Sequence, residues 1–248
     1  MKRRVRMRVS LFITCLSDVF FPGVGQSVVE VLERHGAEVD FPQDQTCCGQ
    51  PAYNSGYHKE ARETAKHMVN VFAGSEYVVS PSGSCVAMLR HYYPELLRDE
   101  PDWAEKARDL AGKTYEFSEF LIRIMKVEQV DASLCANATY HHSCHMSRGL
   151  GIKEEPTSLL SQVKGLNMEE LPYCQDCCGF GGTFATKMST ISEAMVDEKV
   201  KHIEATGANV LIGSDMGCLM NIGGRLRRTG KDIQVMHVAE VLARGGEK

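Results

Sequence analysis

Eight of the ten cysteines fall into two matched sets, and four thiols gathered in one place are a site for a soft metal. The first set is Cys15, the adjacent pair Cys47 and Cys48, and Cys85. The second is Cys144, the adjacent pair Cys177 and Cys178, and Cys218. Steps of 32 and 37 residues separate the members of the first set, and steps of 33 and 40 those of the second. Glycine follows each pair, as Gly49 and Gly179, and an apolar run leads toward each last cysteine, Tyr77 to Ser80 and Asn209 to Ile212. The chain thus repeats one cysteine-bearing unit. Cys135 and Cys174 have no counterpart and read as small buried hydrophobes.

The adjacent pairs bear on which metal is held. Neighbouring residues direct their side chains apart, so two such sulfurs on one small ion strain the backbone. An iron–sulfur cluster instead offers each thiolate its own iron. Structural zinc takes ligands two to four residues apart, and the one C-x-x-C spacing, Cys174 to Cys177, occurs in one half only. The pattern therefore favours two clusters over zinc. Zinc, as a native or adventitious metal in a non-enzymatic scaffold, and a thiol–disulfide oxidoreductase working through the adjacent pairs stay open as rivals. The glycines let the backbone approach closely and present N–H groups to sulfur, which tunes a reduction potential. The run from Cys178 to Thr183 lacks the register of a nucleotide loop and reads as a cluster-wrapping loop, with an anion nest as a second use.

Cysteines so far apart in sequence must be brought together by strand ends. Arg8 to Thr14, Glu38 to Phe41 and Tyr77 to Ser80 read as strands; Gly25 to His35 and Lys59 to Phe72 read as helices. A further helix is expected from Cys85 toward Tyr93, stopped at Pro94, and another between Trp103 and Asp131. The second half reads as strand Thr139 to His142, helix Thr157 to Val163, helix Ser189 to Ala205, strand Asn209 to Ile212, and strand Val235 to His237 with a closing helix. Strands alternating with helices imply an α/β fold: two tandem pseudo-symmetric units, each a small mostly parallel sheet flanked by helices, spanning 1–130 and 131–248. Cys15, the first pair and Cys85 then fall beyond the carboxyl ends of strands, where open α/β sheets build their sites.

His141, His142 and His145 surround Cys144. Solvent-facing alternation is the plain reading of three such histidines; the functional one gives His142 or His145 a substrate or proton role and lets Arg148 pair with a carboxylate. Arg225, Arg227 and Arg228 read as a solvated helix face. A net charge of −4 and a pI near 6.1 exclude a nucleic-acid binder. No stretch approaches the ~20 apolar residues of a membrane span. Asp18 interrupts the apolar run after the basic start, and no small-residue cleavage site follows, so Met1 to Arg8 reads as a solvated lead into the first strand, not a signal peptide. That places the chain in the cytoplasm.

At CCGQPAYNSG (Cys47 to Gly56) and CCGFGGTF (Cys177 to Phe184) the chain resembles the lactate utilisation protein A family, and the resemblance runs nearly end to end. It implies two CCG domains and a subunit of a cytoplasmic iron–sulfur system oxidising L-lactate to pyruvate, hence an oxidoreductase subunit that needs partners. Those partners would be a ferredoxin-like cluster carrier and one further subunit, with a small carboxylate as ligand. The implied ligands are Cys15, Cys47, Cys48 and Cys85 for one 4Fe-4S cluster, and Cys144, Cys177, Cys178 and Cys218 for another. The related heterodisulfide reductase subunit ends each motif in C-x-x-C and holds a non-cubane cluster. Here Ser82 and Asp215 stand at those earlier positions.

Overall fold

The computed structural model describes residues 7–245; the basic lead up to residue 6 lies outside the described residues. Two compact units divide the chain, one of residues up to 81 with 85–127, the other of 82–84 with the chain from 128 onward.

The first unit holds β1 (Arg8–Leu11), β2 (Glu38–Asp40), β3 (Tyr77–Ser80) and β4 (Thr114–Glu116) in the order β2-β1-β3-β4. All pairings are parallel, with Val9 opposite both Val39 and Tyr77, and Val78 opposite Thr114. The second unit holds β5 (Ser133–His141), β6 (Lys164–Glu169), β7 (Val210–Gly213) and β8 (Gln234–His237) in the order β6-β5-β7-β8, again all parallel. The shared order makes the sequence repeat a repeat of topology. The expected α/β architecture, two parallel sheets with flanking helices in two similar halves, is the one observed.

Central strands covered on both faces carry continuous apolar runs, and β7 is buried throughout. The flanking helices bury one stripe each. Helix His58–Val71 turns Ala61, Ala65, Met68 and Val69 inward, a spacing of three to four residues that keeps them on one face. Together with Phe12, Phe72, Leu89 and Tyr93 they enclose Cys48 and Cys85, so the first thiol site is built into the hydrophobic core of its unit. Each large side chain so buried contributes roughly 1.5–3 kcal/mol, enough for the core to fix the backbone around the sulfurs.

Three expectations need correction. The helix carrying Cys85 starts before it, at Gly83, and does not stop at Pro94: it passes through a π-turn, Met88–Tyr92, and continues over Tyr93–Leu96. Proline is tolerated there because the widened turn resets the hydrogen-bond ladder and leaves Pro94 in a first turn, where no N–H is needed. β4 and β6 were not expected. Both are edge strands, and β6 leaves four of its six residues exposed, so neither shows the buried apolar run that announces β3 or β7.

Candidate metal centres

In the first unit, Cys15 opens helix Cys15–Phe20 just past β1, and Cys85 sits in helix Gly83–Ala87 just past β3. The pair Cys47 and Cys48 lies in the loop after β2. All four therefore stand at the carboxyl edge of the sheet. Cys48 and Cys85 bring their sulfurs to 3.4 Å, and Gly49 N–H donates to Cys47 Sγ at 3.5 Å. Cys47 Sγ also accepts from the thiols of Cys15 and Cys48, which hold its own thiol well below the usual range. The same contact with Cys47, reinforced by burial, pushes Cys15 up. The sulfurs form one chain of contacts from Cys15 through Cys47 and Cys48 to Cys85.

The adjacent pair does not direct its side chains apart as expected. Gly49 has a φ of +81°, a left-handed turn open to glycine, and it turns the chain directly after the pair. Tyr93 Oη, fully buried, fixes the turn by donating to Cys48 O at 2.9 Å.

The second unit repeats the arrangement. Cys144 follows β5, and Cys218 lies in helix Met216–Arg228, which follows β7. Cys177 is lowered to about 2 by the Cys144 and Cys178 thiols, and Gly179 N–H reaches it at 3.4 Å. Gly179 again has a φ of +81°. Asn221 Nδ2 donates to Cys178 O at 2.8 Å, taking the part that Tyr93 plays in the first unit. Cys178 and Cys218 are buried while Cys144 and Cys177 are half-buried, so the sulfurs lead from the core toward the surface.

Around this second site the chemistry is richer. His145 Nδ1 lies 3.7 Å from Cys144 Sγ, Arg148 hydrogen-bonds to the same thiol, and His142 packs edge-on against Tyr140 at 4.8 Å. Arg148 and Cys177 share a cavity of about 300 Å³ with Lys199 and His202. Lys199, buried, donates to Tyr173 O at 2.6 Å, and burial lowers its basicity. The histidine grouped with the buried sulfurs is His141, not its neighbours His142 and His145. One of its ring nitrogens, Cys178 Sγ and Cys218 Sγ all lie within 4.8 Å of one another. The signal that finds it is the repeat itself: Phe12 precedes Cys15 by three residues, as His141 precedes Cys144.

Three groups stand apart from the thiol sites. Cys135 is exposed on β5 rather than buried as expected, because its alternating strand turns that side chain outward. Cys174 is half-buried rather than fully so, in the turn before the second pair. Ser82 and Asp215 engage each other: Ser82 Oγ donates to Asp215 Oδ2 at 3.1 Å within the second unit. Arg225 is not simply solvated, since it pairs with Asp197 and Glu193 of helix Ser189–Ala205, whereas Arg227 and Arg228 are exposed.

A cysteine-rich domain model, CCG, matches residues 9–90 and again 138–223, one copy for each thiol site. The chain is 65% identical over 242 residues to lactate utilization protein A 2 of Bacillus cereus strain AH820, covering 98% of this chain and all of that one. It is equally similar, 65% over 236 residues, to lactate utilization protein A of Halalkalibacterium halodurans, covering 95% of this chain and 96% of that one. The chain belongs to the lactate utilization protein A family. A solved hypothetical protein from Helicobacter pylori has the same fold, with a TM-score of 0.70 at 10% identity over 97% of this chain; the chain spans 49% of that longer protein. Within the lactate utilization protein A family, then, the paired CCG motifs are the two thiol sites described above. No described helix is long and apolar enough to cross a membrane.

Proposed function

We propose that this chain is the electron-carrying subunit of a cytoplasmic system that oxidises L-lactate to pyruvate. In this reading 1–130 and 131–248 are two CCG domains, and each binds one 4Fe-4S cluster through its four matched cysteines. The observation that carries the reading is the convergence of four sulfurs at one sheet edge in each unit, with a glycine N–H aimed at the second of them. Soft thiolates held partly in a core suit such a group, and the names of the similar proteins supply the lactate system.

A bound cluster supplies one-electron transfer. The residues of this chain provide the rest. Cys48, Cys85, Cys178 and Cys218 exclude water on the inner side, and the N–H groups of Gly49 and Gly179 stabilise negative charge on Cys47 and Cys177. Cys15 and Cys144, toward the surface, mark the side on which a partner exchanges electrons. Oxidising lactate removes two electrons and two protons. A ferredoxin-like cluster protein and a further subunit complete the system, and a small carboxylate, if it binds this subunit, meets Arg148, His142 and His145.

The test is iron and acid-labile sulfide content with an electron paramagnetic resonance spectrum, on protein purified without oxygen. About eight irons and eight sulfides per chain are expected from two four-iron clusters. Stoichiometric zinc without sulfide overturns the reading. It would promote the structural zinc alternative, which has its own support in the 3.4 Å between Cys48 and Cys85 sulfurs, a separation close to that of two ligands on one tetrahedral ion.

A further inference from the structure

The two thiol sites differ in one buried residue. In the first unit the position three residues before the leading cysteine is Phe12, fully buried and packed with Cys48 and Cys85 in the core. In the second unit the same position is His141, 1% exposed at the end of β5. An imidazole there is costly: a buried polar ring without hydrogen bonds forfeits its hydration for nothing. Both ring nitrogens of His141 lack any partner among the described residues. Buried polar atoms are so regularly satisfied that such a pair needs an explanation. Packing does not supply one, since phenylalanine fills the matching place in the first unit.

The explanation lies in where the ring points. One of its nitrogens, together with Cys178 Sγ and Cys218 Sγ, forms a group of donor atoms all within 4.8 Å of one another. The neutral ring is the form of histidine that offers a lone pair to a metal. Imidazole and thiolate on one metal group are a compatible donor set.

Resting on the cluster reading above, we infer that His141 is a nitrogen ligand of the second centre, taking one of its four iron sites beside Cys177, Cys178 and Cys218 in place of the half-buried Cys144, while the first centre is held by thiolates alone. The two clusters are then chemically unequal. A neutral nitrogen donor puts less negative charge on iron than a thiolate does, so the second centre takes the higher potential and electrons run toward it from the first.

The test reads nitrogen rather than turnover. Protein in which only histidine carries ¹⁵N is purified without oxygen, assayed for iron and sulfide, and examined by pulsed electron paramagnetic resonance during stepwise reduction. The expected result is a histidine nitrogen coupling, changed by the isotope, on the centre reduced first. In His141→Phe, which copies Phe12, that coupling disappears and the two reduction steps move together. Labelled wild-type protein that holds both clusters but shows no histidine coupling overturns the assignment even if the variant does not fold. A coupling that persists in His141→Phe overturns it too. Absence of iron and sulfide overturns the cluster reading itself, and this assignment with it.

Discussion

Cys48 and Cys85 stand 37 residues apart in the chain, yet their sulfurs are 3.4 Å apart in the core of the first unit. The parallel order of β2, β1 and β3 closes that distance by delivering the segment after each strand to the same sheet edge. Each site is completed within its own unit, so the two are expected to be lost separately. Cys48→Ser should lower the iron content by about half and leave the signal of the second centre in place, and Cys178→Ser should do the reverse. Loss of both signals in either variant would show that the sites depend on one another. Cys135→Ser and Cys174→Ser should leave the iron content unchanged.

Gly49 and Gly179 share a φ of +81°, but their surroundings differ. A Cβ on Gly179 would come 2.7 Å from Ser192 O, a backbone atom that cannot swing aside, whereas on Gly49 it would meet the Thr64 methyl at 3.3 Å. Both alanine variants carry ~1–2 kcal/mol of left-handed strain, and Gly179→Ala adds overpacking of about 1–3 kcal/mol. Thermal melts should therefore rank Gly179→Ala below Gly49→Ala. Equal melting temperatures would contradict the geometry.

Asp215 caps helix Met216–Arg228 by accepting from Gly217 N–H at 3.1 Å, and it also accepts from Ser82 Oγ and Ser84 N–H. Replacing it with alanine removes the cap, at roughly 0.5–2 kcal/mol, and leaves buried donors behind. Urea unfolding should show that loss with iron content preserved, because Asp215 is occupied by protein donors. Loss of iron in Asp215→Asn, which keeps an acceptor oxygen, would make Asp215 a ligand.

Glu116 is buried at the end of β4, where burial raises its carboxyl from 4.5 to about 8 despite the N–H groups of Glu119 and Ser118 that it accepts. Its neighbour Glu119 is satisfied by Arg90 and Arg123. Between pH 4.5 and 8 the unfolded chain has released this proton and the folded one has kept it. Stability therefore falls as pH rises through that window, by up to ~1.4 kcal/mol per pH unit from this group, and levels off above it. Glu116→Gln should show a stability gain over the parent that grows with pH across the same range. A gain that is flat with pH would rule out a neutral buried Glu116.

The sequence announced what is buried on both sides and concealed what lies at the margins. β3 and β7 read directly from Tyr77–Ser80 and Val210–Gly213 because central parallel strands must be apolar throughout. β6 runs Lys-Gly-Leu-Asn-Met-Glu with one face in solvent, and alternation that short is indistinguishable from a loop. The eight cysteines were legible as two sets because their spacing repeats. The facing of Cys47 toward Cys48 was not, since it depends on the backbone dihedrals between the two cysteines, which composition does not reveal. His141 was hidden among three histidines until burial separated it from the others.

Each set of four thiols is completed by the helix that follows its third strand, at Cys85 and again at Cys218. This fixes an order in time as well as in space. During synthesis the last thiol of the first set, Cys85, is made 59 residues before the first thiol of the second, Cys144; at ~5–20 residues per second the interval is on the order of several seconds. The assembly machinery therefore meets one complete set of thiols while the other does not yet exist. On the cluster reading proposed above, the protein is charged with metal one half at a time, beginning at its amino-terminal end.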